Sequence, residues 1–315
     1  MTSRQTLLGG AGKVAIVTAV VLPVSCALGM QYDLTPAGTQ TLDIVGDFGG
    51  TAKVSDYFEQ PTGTGVFKPF LTLDANGQTS TGSKKIEQAY NTDGFAGMYL
   101  DQLRPQWNNL LRISDLATIS YDSVDYFAFI LDANEPGGNK SIISIDNIRI
   151  YTSAVDNTAS VAGDTTKLDD LGTLRWAMNN PLSEGPPNDL NGFNVDKWIK
   201  LDASQENVEQ GANNSNGGSG KGDMVVYVPT SAFGSSLGTD DYVWFYNLNG
   251  VHYSMDKNLA SESGYEEWRA VVRIDNGPGP GPGGVPDGGS TLALFGLGLA
   301  AVGLIGKQIK SAPVC

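Results

Sequence analysis

The hydrophobic positions of the chain fall into short runs separated by polar and glycine-rich segments, a pattern that predicts β-strands. Residues 126–131 are rich in aromatic and branched side chains on both faces, which predicts a central strand. Residues 141–151 form a second long strand, with period-two alternation around Ile148 and Ile150. Further strands are predicted at 41–45, 66–73, 195–201, 224–229, 242–246 and 265–272.

The connecting segments differ in what they predict. Pro69 argues that the strand at 66–73 lies at a sheet edge or carries a bulge, because proline cannot donate a ladder hydrogen bond. Residues 84–90 are polar and are expected to form a short helix or a loop. Residues 152–168 are poor in strand formers and mark a sub-boundary or a long excursion. Residues 211–222 are a flexible Gly/Asn/Ser loop.

Composition agrees with this pattern. The 315 residues include 40 glycines, and charged residues make up only 17%, as expected for a loop-rich β protein outside the cell. The predicted fold is all-β, a jelly-roll-like β-sandwich ectodomain preceded by a signal peptide and followed by a single C-terminal transmembrane helix.

The first 29 residues have the features of a secretory signal peptide. Arg4 and Lys13 supply a positive region, an apolar run follows from Val14 to Val24, and small residues lie beyond it. Cys26 offers lipidation as an alternative, although Pro23 stands where a lipobox has leucine. An uncleaved signal anchor is the other alternative.

A second uncharged apolar run extends from Thr291 to Gly306. As a helix its 16 residues would be roughly 24 Å long, short for a bilayer core of about 30 Å. Lys307 and Lys310 follow it, and they are expected to snorkel at the cytoplasmic face. A buried core helix is the alternative, but four glycines weaken a soluble helix here. The chain is thus divided into a signal peptide at 1–29, a β-rich domain at 30–275, a Gly/Pro linker at 276–284 and a sorting segment at 285–310 containing the transmembrane helix 291–306.

The residues before this helix read Val-Pro-Asp-Gly-Gly-Ser. A short Pro-acidic motif, an apolar helix and a basic tip, in this order, resemble the PEP-CTERM sorting signal of Gram-negative envelopes in its VPDSG/VPDGG variant. The resemblance implies transient anchoring in the inner membrane, cleavage near Pro286-Asp287 by an exosortase, and release to or attachment at the cell surface. The motif residues are Val285, Pro286, Asp287, Gly288, Gly289 and Ser290, and the membrane-flanking residues are Lys307 and Lys310.

The resemblance extends into the predicted domain. Residues 129–132 with 142–151, and residues 218–224 and 227–229 with 242–246 and 264–268, are similar to strands of PEP-CTERM ectodomains. That family implies roles at the surface or in association with exopolysaccharide, and it carries no catalytic residues over to this chain.

Charge and cysteine content narrow the function classes. The formal net charge is −14, and removal of both ends takes away four basic and one acidic residue, which leaves about −17. Such a surface repels nucleic acid and anionic lipid. Both cysteines, Cys26 and Cys315, lie in the removable ends, so a processed chain would have no disulfide, catalytic thiolate or cysteine metal site.

Catalytic motifs are weak in this sequence. His252 is the only histidine and is interpreted as a strand or loop residue. Glu266 and Glu267 are adjacent, so in a strand they point to opposite faces and cannot flank one glycosidic bond. We therefore expect no enzyme activity, with an envelope glycoside hydrolase as the least favoured alternative.

A calcium site is the more credible chemistry. Asp132, Asn134 and Glu135 lie in a glycine-rich loop, and Asp146 lies on the following strand. Calcium binds such hard oxygen ligands. Ordinary use of Asp and Asn in turns is the alternative.

Taken together, the sequence predicts an exported cell-surface or extracellular-matrix protein that is not an enzyme. Its expected partners are an exosortase and the inner membrane, with no nucleic acid. The rival hypothesis is a calcium-assisted carbohydrate-binding module that binds exopolysaccharide, in which exposed tryptophans stack on sugar rings.

Overall fold

The computed structural model describes residues 30–36, 38–56, 69–74, 85–94, 100–102, 105–135, 140–179, 196–204, 222–235, 238, 241–261 and 265–273. Regular structure in these residues is mostly strand, which confirms the all-β prediction. No helix in these ranges has the length and apolar character needed to cross a membrane. The signal peptide, the linker and the transmembrane helix predicted above lie outside the described residues.

Fourteen strands are present in this part of the chain. They are β1 Met30–Asp33, β2 Thr41–Val45, β3 Thr51–Ser55, β4 Pro69–Leu73, β5 Glu87–Tyr90, β6 Leu111–Arg112, β7 Ile119–Tyr121, β8 Val124–Asp132, β9 Ile142–Ser153, β10 Thr173–Ala177, β11 Lys197–Asp202, β12 Met224–Pro229, β13 Tyr242–Asn249 and β14 Glu266–Ala270. Helices are short: α1 spans Thr158–Val161, and 3-10 turns lie at Pro105–Trp107, Ile113–Asp115, Thr165–Leu171, Thr230–Phe233, Val251–Ser254 and Lys257–Leu259.

The strands form two sheets. In the first sheet the order is β1-β11-β9-β13-β5, with β10 beside β9 and β6 beside β13. In the second sheet it is β2-β3-β12-β8-β14-β4, with β7 beside β8. Pairing is antiparallel except between β1 and β11, which run parallel. The strand predicted to be central, β8, has neighbours on both sides, as predicted, and so does β9.

The main core lies between the two sheets. Along β8, Phe127, Phe129 and Leu131 face this core, while the intervening residues face outward. From the first sheet, Phe245 meets Phe129 with ring centroids 5.1 Å apart. Because one apolar cluster takes side chains from both sheets, the sheets pack face to face as a sandwich.

The segment between β9 and β10 covers the outer face of the first sheet. Val161, Leu168 and Leu171 pack there against aromatic side chains of β9 and β13. Tyr151 donates a hydrogen bond from its hydroxyl to Asp169 (3.1 Å). The strand-poor stretch at 152–168 thus connects two neighbouring strands of one sheet as an excursion over its surface.

Strand β9 carries a bulge that explains its irregular sequence pattern. Ile143 and Ile145 face the core, and so do Ile148 and Ile150, so the alternation changes phase between them. The pairing with β13 shifts register at the same place. Asp146 shares the outer face with Ser144, and the extra residue of the bulge brings Ile148 back to the core.

Two predictions about strands near the N-terminal third have different outcomes. Pro69 begins β4, an edge strand whose register with β14 shifts opposite the proline, as predicted. The helix or loop expected at 84–90 is wrong, because residues 87–90 form β5 and pair with β13. Polar side chains are tolerated in this strand because they find buried partners, as Gln88 does with the Tyr246 hydroxyl (2.7 Å).

Candidate functional site

Carboxyl groups gather at one end of the sandwich, where four strands end and four begin. Strands β4, β8, β11 and β13 end there, and β5, β9, β12 and β14 begin there. We call this region the acidic end; its carboxyl residues are Asp74, Glu87, Asp132, Glu135, Asp202, Asp223, Glu266 and Glu267. The three Leu-Asp-Ala motifs of the sequence, at 73–75, 131–133 and 201–203, all lie where a strand reaches this end.

Three of the four residues predicted to bind calcium lie at the acidic end. Asp132 is the last residue of β8 and is buried. Asn134 donates a hydrogen bond to the carbonyl of Tyr265 (2.7 Å). Glu135 is half-buried and acts electrostatically on Glu266.

The structure places Asp146 elsewhere, in the first sheet beneath the turn at Val251–Ser254. One carboxylate oxygen lies 2.5 Å from Nδ1 of His252. The other accepts hydrogen bonds from the Val251 amide (2.6 Å) and the Ser144 hydroxyl (2.9 Å). Burial raises the pKa of Asp146, and the hydrogen bonds from His252, Val251 and Ser144 lower it. Asp146 is therefore held by protein donors rather than grouped with Asp132.

Across the described ranges, no group of three or more His, Cys, Asp or Glu side chains is arranged to hold a metal ion. The four-residue calcium set of the sequence stays a prediction.

His252 occupies a structural position in the 3-10 turn. Its ring stacks on Trp198, with centroids 4.3 Å apart and an interplanar angle of 17°. The Ser144 hydroxyl donates to Asp146, whereas a catalytic triad needs a serine bonded to the imidazole. These three side chains do not form the triad geometry.

A pair of buried carboxyls lies inside the sandwich at the acidic end. Glu87 from β5 and Glu266 from β14 are at most 1% exposed. Each points inward, since Ala89 in β5 and Trp268 in β14 share their face and belong to the core. Asn249, the Cα partner of Glu87 on β13, donates an amide hydrogen to Glu87 Oε1 (2.7 Å).

Electrostatics sets this pair apart from the surface carboxyls. Burial raises the pKa of Glu87, while hydrogen bonds with Glu266, Asn249 and Ser261 lower it. Burial, followed by the charge of Glu87, raises the pKa of Glu266 well above its ordinary value. The two carboxyl groups lie within hydrogen-bonding reach of each other, so a proton held by one can be shared with the other.

A second buried carboxyl, Asp223, lies next to β12. It accepts a hydrogen bond from the amide of Ala133 (2.8 Å). Burial raises the pKa of Asp223 well above its ordinary value; Asp132 and Asp202 raise it further, and Arg269 lowers it. The acidic end therefore holds carboxyls with strongly perturbed protonation in both sheets.

The outer face of the second sheet carries an exposed tyrosine stack. Tyr121 is 39% exposed and lies nearly parallel to Tyr227, with ring centroids 5.9 Å apart. The ammonium of Lys53 lies 5.6 Å from the centre of the Tyr121 ring. Asp43 pairs with Lys53 at 2.8 Å. This tyrosine face combines an accessible ring with hydrogen-bonding charges beside it.

The carbohydrate-binding hypothesis needs exposed tryptophans, but the tryptophans in the described residues are mostly buried. Trp176, Trp198, Trp244 and Trp268 are at most 4% exposed. Trp107 is half-buried and packs on Tyr265, with centroids 5.5 Å apart. The described residues thus show no row of exposed tryptophans.

Sequence reasoning found part of this site. It predicted that Glu266 and Glu267 point to opposite faces, and β14 confirms this, because Trp268 and Ala270 face the core while Val271 faces outward. It missed Glu87 as the partner, since the polar run at 84–90 gave no strand signal.

Comparison with known proteins gives a match in the tail. Residues 284–306 match the family model described as VPDSG-CTERM motif, which confirms a PEP-CTERM-like C-terminal sorting signal of the kind that an exosortase, a membrane enzyme, recognises. No curated protein and no solved structure matches the chain. The matched motif lies outside the described residues.

Proposed function

We propose that this chain is a non-enzymatic protein of the cell surface or extracellular matrix of a Gram-negative bacterium. It is exported, held transiently in the inner membrane by residues 291–306, and then processed by an exosortase. The observation that carries this proposal is the sorting motif at 284–306, placed after a folded β domain whose last described residue is 273.

The fold supports a binding or spacer role for the exported part. Its strands alternate repeatedly between two facing sheets, an arrangement of the jelly-roll type. Many surface modules use such sandwiches to carry loops at their ends. A sandwich with a net negative chain is soluble outside the cell and repels nucleic acid.

Processing can be tested with the full chain in a host with an exosortase and in the same host without it. We expect a shortened, released form only where the enzyme is present. Replacing Pro286 and Asp287 by alanine should keep the full-length form in the membrane. Ser311→Ala, beyond the basic tip, is the matched control and should be processed normally.

Mass spectrometry of the released form locates the cut. A new terminus between 284 and 290 supports exosortase processing. A chain that stays full length in both hosts contradicts it, and so does release that is unchanged by the double alanine variant.

The second candidate function is carbohydrate binding on the tyrosine face, with calcium as an aid. The observation that favours it is the exposed Tyr121 ring, which stacks on Tyr227 and has the Lys53 ammonium over it, with Asp43 paired to Lys53. Aromatic rings stack on the apolar faces of sugars, and the charged neighbours are suited to hydroxyl groups.

Retention of the full chain on host exopolysaccharide tests this candidate, with calcium and with chelator. Tyr121→Ala should abolish retention, and Tyr121→Phe should keep it because the ring remains. Met255, which is also exposed, provides the control variant Met255→Ala. Absence of retention in either buffer would remove the carbohydrate-binding candidate and leave the sorting proposal intact.

A further inference from the structure

Apart from a proton shared between Glu87 and Glu266, four oxygen atoms inside the acidic end have no hydrogen-bond donor. They are Glu87 Oε2, both carboxyl oxygens of Glu266, and the amide oxygen of Asn249. All four are inaccessible to solvent. Buried acceptors without a donor are costly, commonly about 1–3 kcal/mol each and more when charged.

These atoms converge from three strands and two sheets. Glu87 and Asn249 are cross-strand partners in the first sheet, and Glu266 faces them from the second. The Asn249 amide nitrogen is bonded to Glu87, which fixes its oxygen as the remaining free atom of that side chain. The amide of Glu266 lies near its own carboxyl and lowers its pKa, but it does not reach hydrogen-bond geometry.

Two further carboxyl groups act on this pair of glutamates. The carboxyl of Asp74 acts on Glu87, and that of Glu135 acts on Glu266; both raise the pKa of their neighbour. A shared proton relieves only one charge of the pair and leaves Asn249 Oδ1 without a donor. A cation would relieve the charges and satisfy all four oxygens.

We propose that Glu87, Glu266 and Asn249 form an interior calcium site that ties the two sheets together. Calcium binds about six to eight oxygen atoms in flexible geometry, whereas magnesium demands a near-ideal octahedron and retains its waters. Two carboxylates and one amide oxygen provide up to five oxygen ligands for such an ion, and Ser261 and Glu135 lie within electrostatic or hydrogen-bonding range of the pair. This site differs from the Asp132, Asn134, Glu135 and Asp146 set, and it does not depend on the proposed function.

The test uses the full chain in mild detergent, stripped with chelator, and calcium alone as the probe. We expect calcium at about 1 mM, a concentration suited to extracellular modules, to raise the melting temperature. Terbium should replace calcium and luminesce when the indole of Trp268 is excited, because that ring faces the same interior from the same strand as Glu266. Calcium should quench this luminescence by competition.

Glu266→Gln keeps the shape of the side chain and removes its charge, and it should weaken calcium binding by about 100-fold. Glu87→Gln is the second variant and should do the same. Glu267→Gln is the matched control, since the neighbouring carboxyl points to the opposite face of β14 and should leave binding within about twofold of the parent chain. Circular dichroism checks that every variant is folded.

Three results would overturn the proposal. The first is a parent chain that does not respond to calcium while Glu266→Gln is more stable than the parent, which means that the pair only shares a proton. The second is calcium binding that survives both glutamine variants. The third is binding lost in Asp146→Asn and kept in Glu266→Gln, which assigns calcium to the residues predicted from sequence.

Discussion

Asp223 is a buried carboxyl whose proton is bound more tightly in the folded chain than in the unfolded one. Its pKa is raised by burial and by Asp132 and Asp202, against the opposing effect of Arg269. The folded state therefore binds more protons than the unfolded state above the ordinary pKa of an aspartate, near 4. Stability is lost as the pH rises from there through the folded pKa.

Asp223→Asn should remove this loss while keeping an oxygen for the Ala133 amide. We expect the melting temperature of the variant to equal or fall below that of the parent at pH 4 and to exceed it at pH 8, by a few degrees, since about 1 kcal/mol shifts a domain of this size by about 2–4 °C. A difference between variant and parent that does not change with pH would contradict this.

Asp164 provides a control of opposite sign. It caps the 3-10 turn at Thr165–Leu171, and hydrogen bonds from Thr166, followed by Lys167, lower its pKa. Its contribution is present above the unfolded pKa and is lost as the pH falls. Asp164→Asn should therefore lower stability at pH 7 and converge on the parent in acid.

Asp146 supports the turn at 251–254 through three donors. Replacement by alanine leaves the Val251 amide, the Ser144 hydroxyl and the His252 ring without their acceptor in a fully buried place. We expect a loss of about 3–5 kcal/mol in the free energy of unfolding, measured with urea. Asp146→Asn keeps an acceptor and should lose less. A loss within about 1 kcal/mol for the alanine variant would show that the turn forms without these bonds.

Sequence reasoning predicted which face a side chain points to better than it predicted which residue that side chain contacts. Strand alternation predicted the opposite faces of Glu266 and Glu267. It could not predict that Glu266 meets Glu87, because that pairing depends on how two sheets stack. It also grouped Asp146 with Asp132 by proximity along the chain, whereas Asp146 lies on the outer face of β9 and contacts His252.

Among the elements, the hairpin joining β2 and β3 is sensitive to a single methyl group. Gly49 and Gly50 both have positive φ, +83° and +86°. A Cβ at Gly49 would overlap the carbonyl oxygen of Arg175 and lie 2.9 Å from the Cα of Trp176, whereas a Cβ at Gly50 would meet nothing within 4 Å. Alanine would strain the backbone at both positions, but only at Gly49 would its methyl group also overlap neighbouring atoms.

Gly49→Ala should therefore destabilise the domain by about 3 kcal/mol or more, and Gly50→Ala by about 1 kcal/mol. Urea denaturation of both variants measures the difference. Equal losses would mean that backbone strain alone governs this hairpin and that its contact with β10 is loose.

Strands with continuous or alternating apolar runs were predictable, and strands held by buried polar contacts were not. β8, β12 and β13 have the first kind of pattern and were found. β5 contains Glu87 and Gln88, whose partners Asn249 and Tyr246 lie far along the chain, so no local signal marks it as a strand. Pro69 was informative because its missing donor restricts it to an edge or a bulge.

Across the whole molecule, the net charge of −14 opposes compaction. Salt screens exposed charges over a Debye length of about 10 Å at 0.1 M. With chelator present, 0.5 M sodium chloride should raise the melting temperature of the full chain by a few degrees. A lower melting temperature in salt would mean that attractive ion pairs, such as Lys53 with Asp43, outweigh the repulsion.

The tail and the domain differ in how far sequence alone describes them. The order of its parts and its charges suffice to identify the sorting motif of the tail. The strand pairing of the described domain cannot be predicted from such a local pattern. Its all-β class follows from periodicity, but the pairing of β1 with β11 or of β4 with β14 is a matter of long-range packing.

These long-range strand pairings restrict the order in which the domain can fold. Met30 lies opposite Lys197, Leu73 opposite Glu266, and Tyr90 opposite Tyr246, so strands of the first third close against strands of the last third. A chain that emerges across a membrane from its N-terminus cannot complete either sheet until nearly all of the domain has passed. The sorting segment arrives only a few residues after β14. In the export route proposed above, closure of the sandwich and arrival of the sorting segment would therefore be almost simultaneous, and an anchored tail would hold the domain at the membrane while β14 joins its sheet.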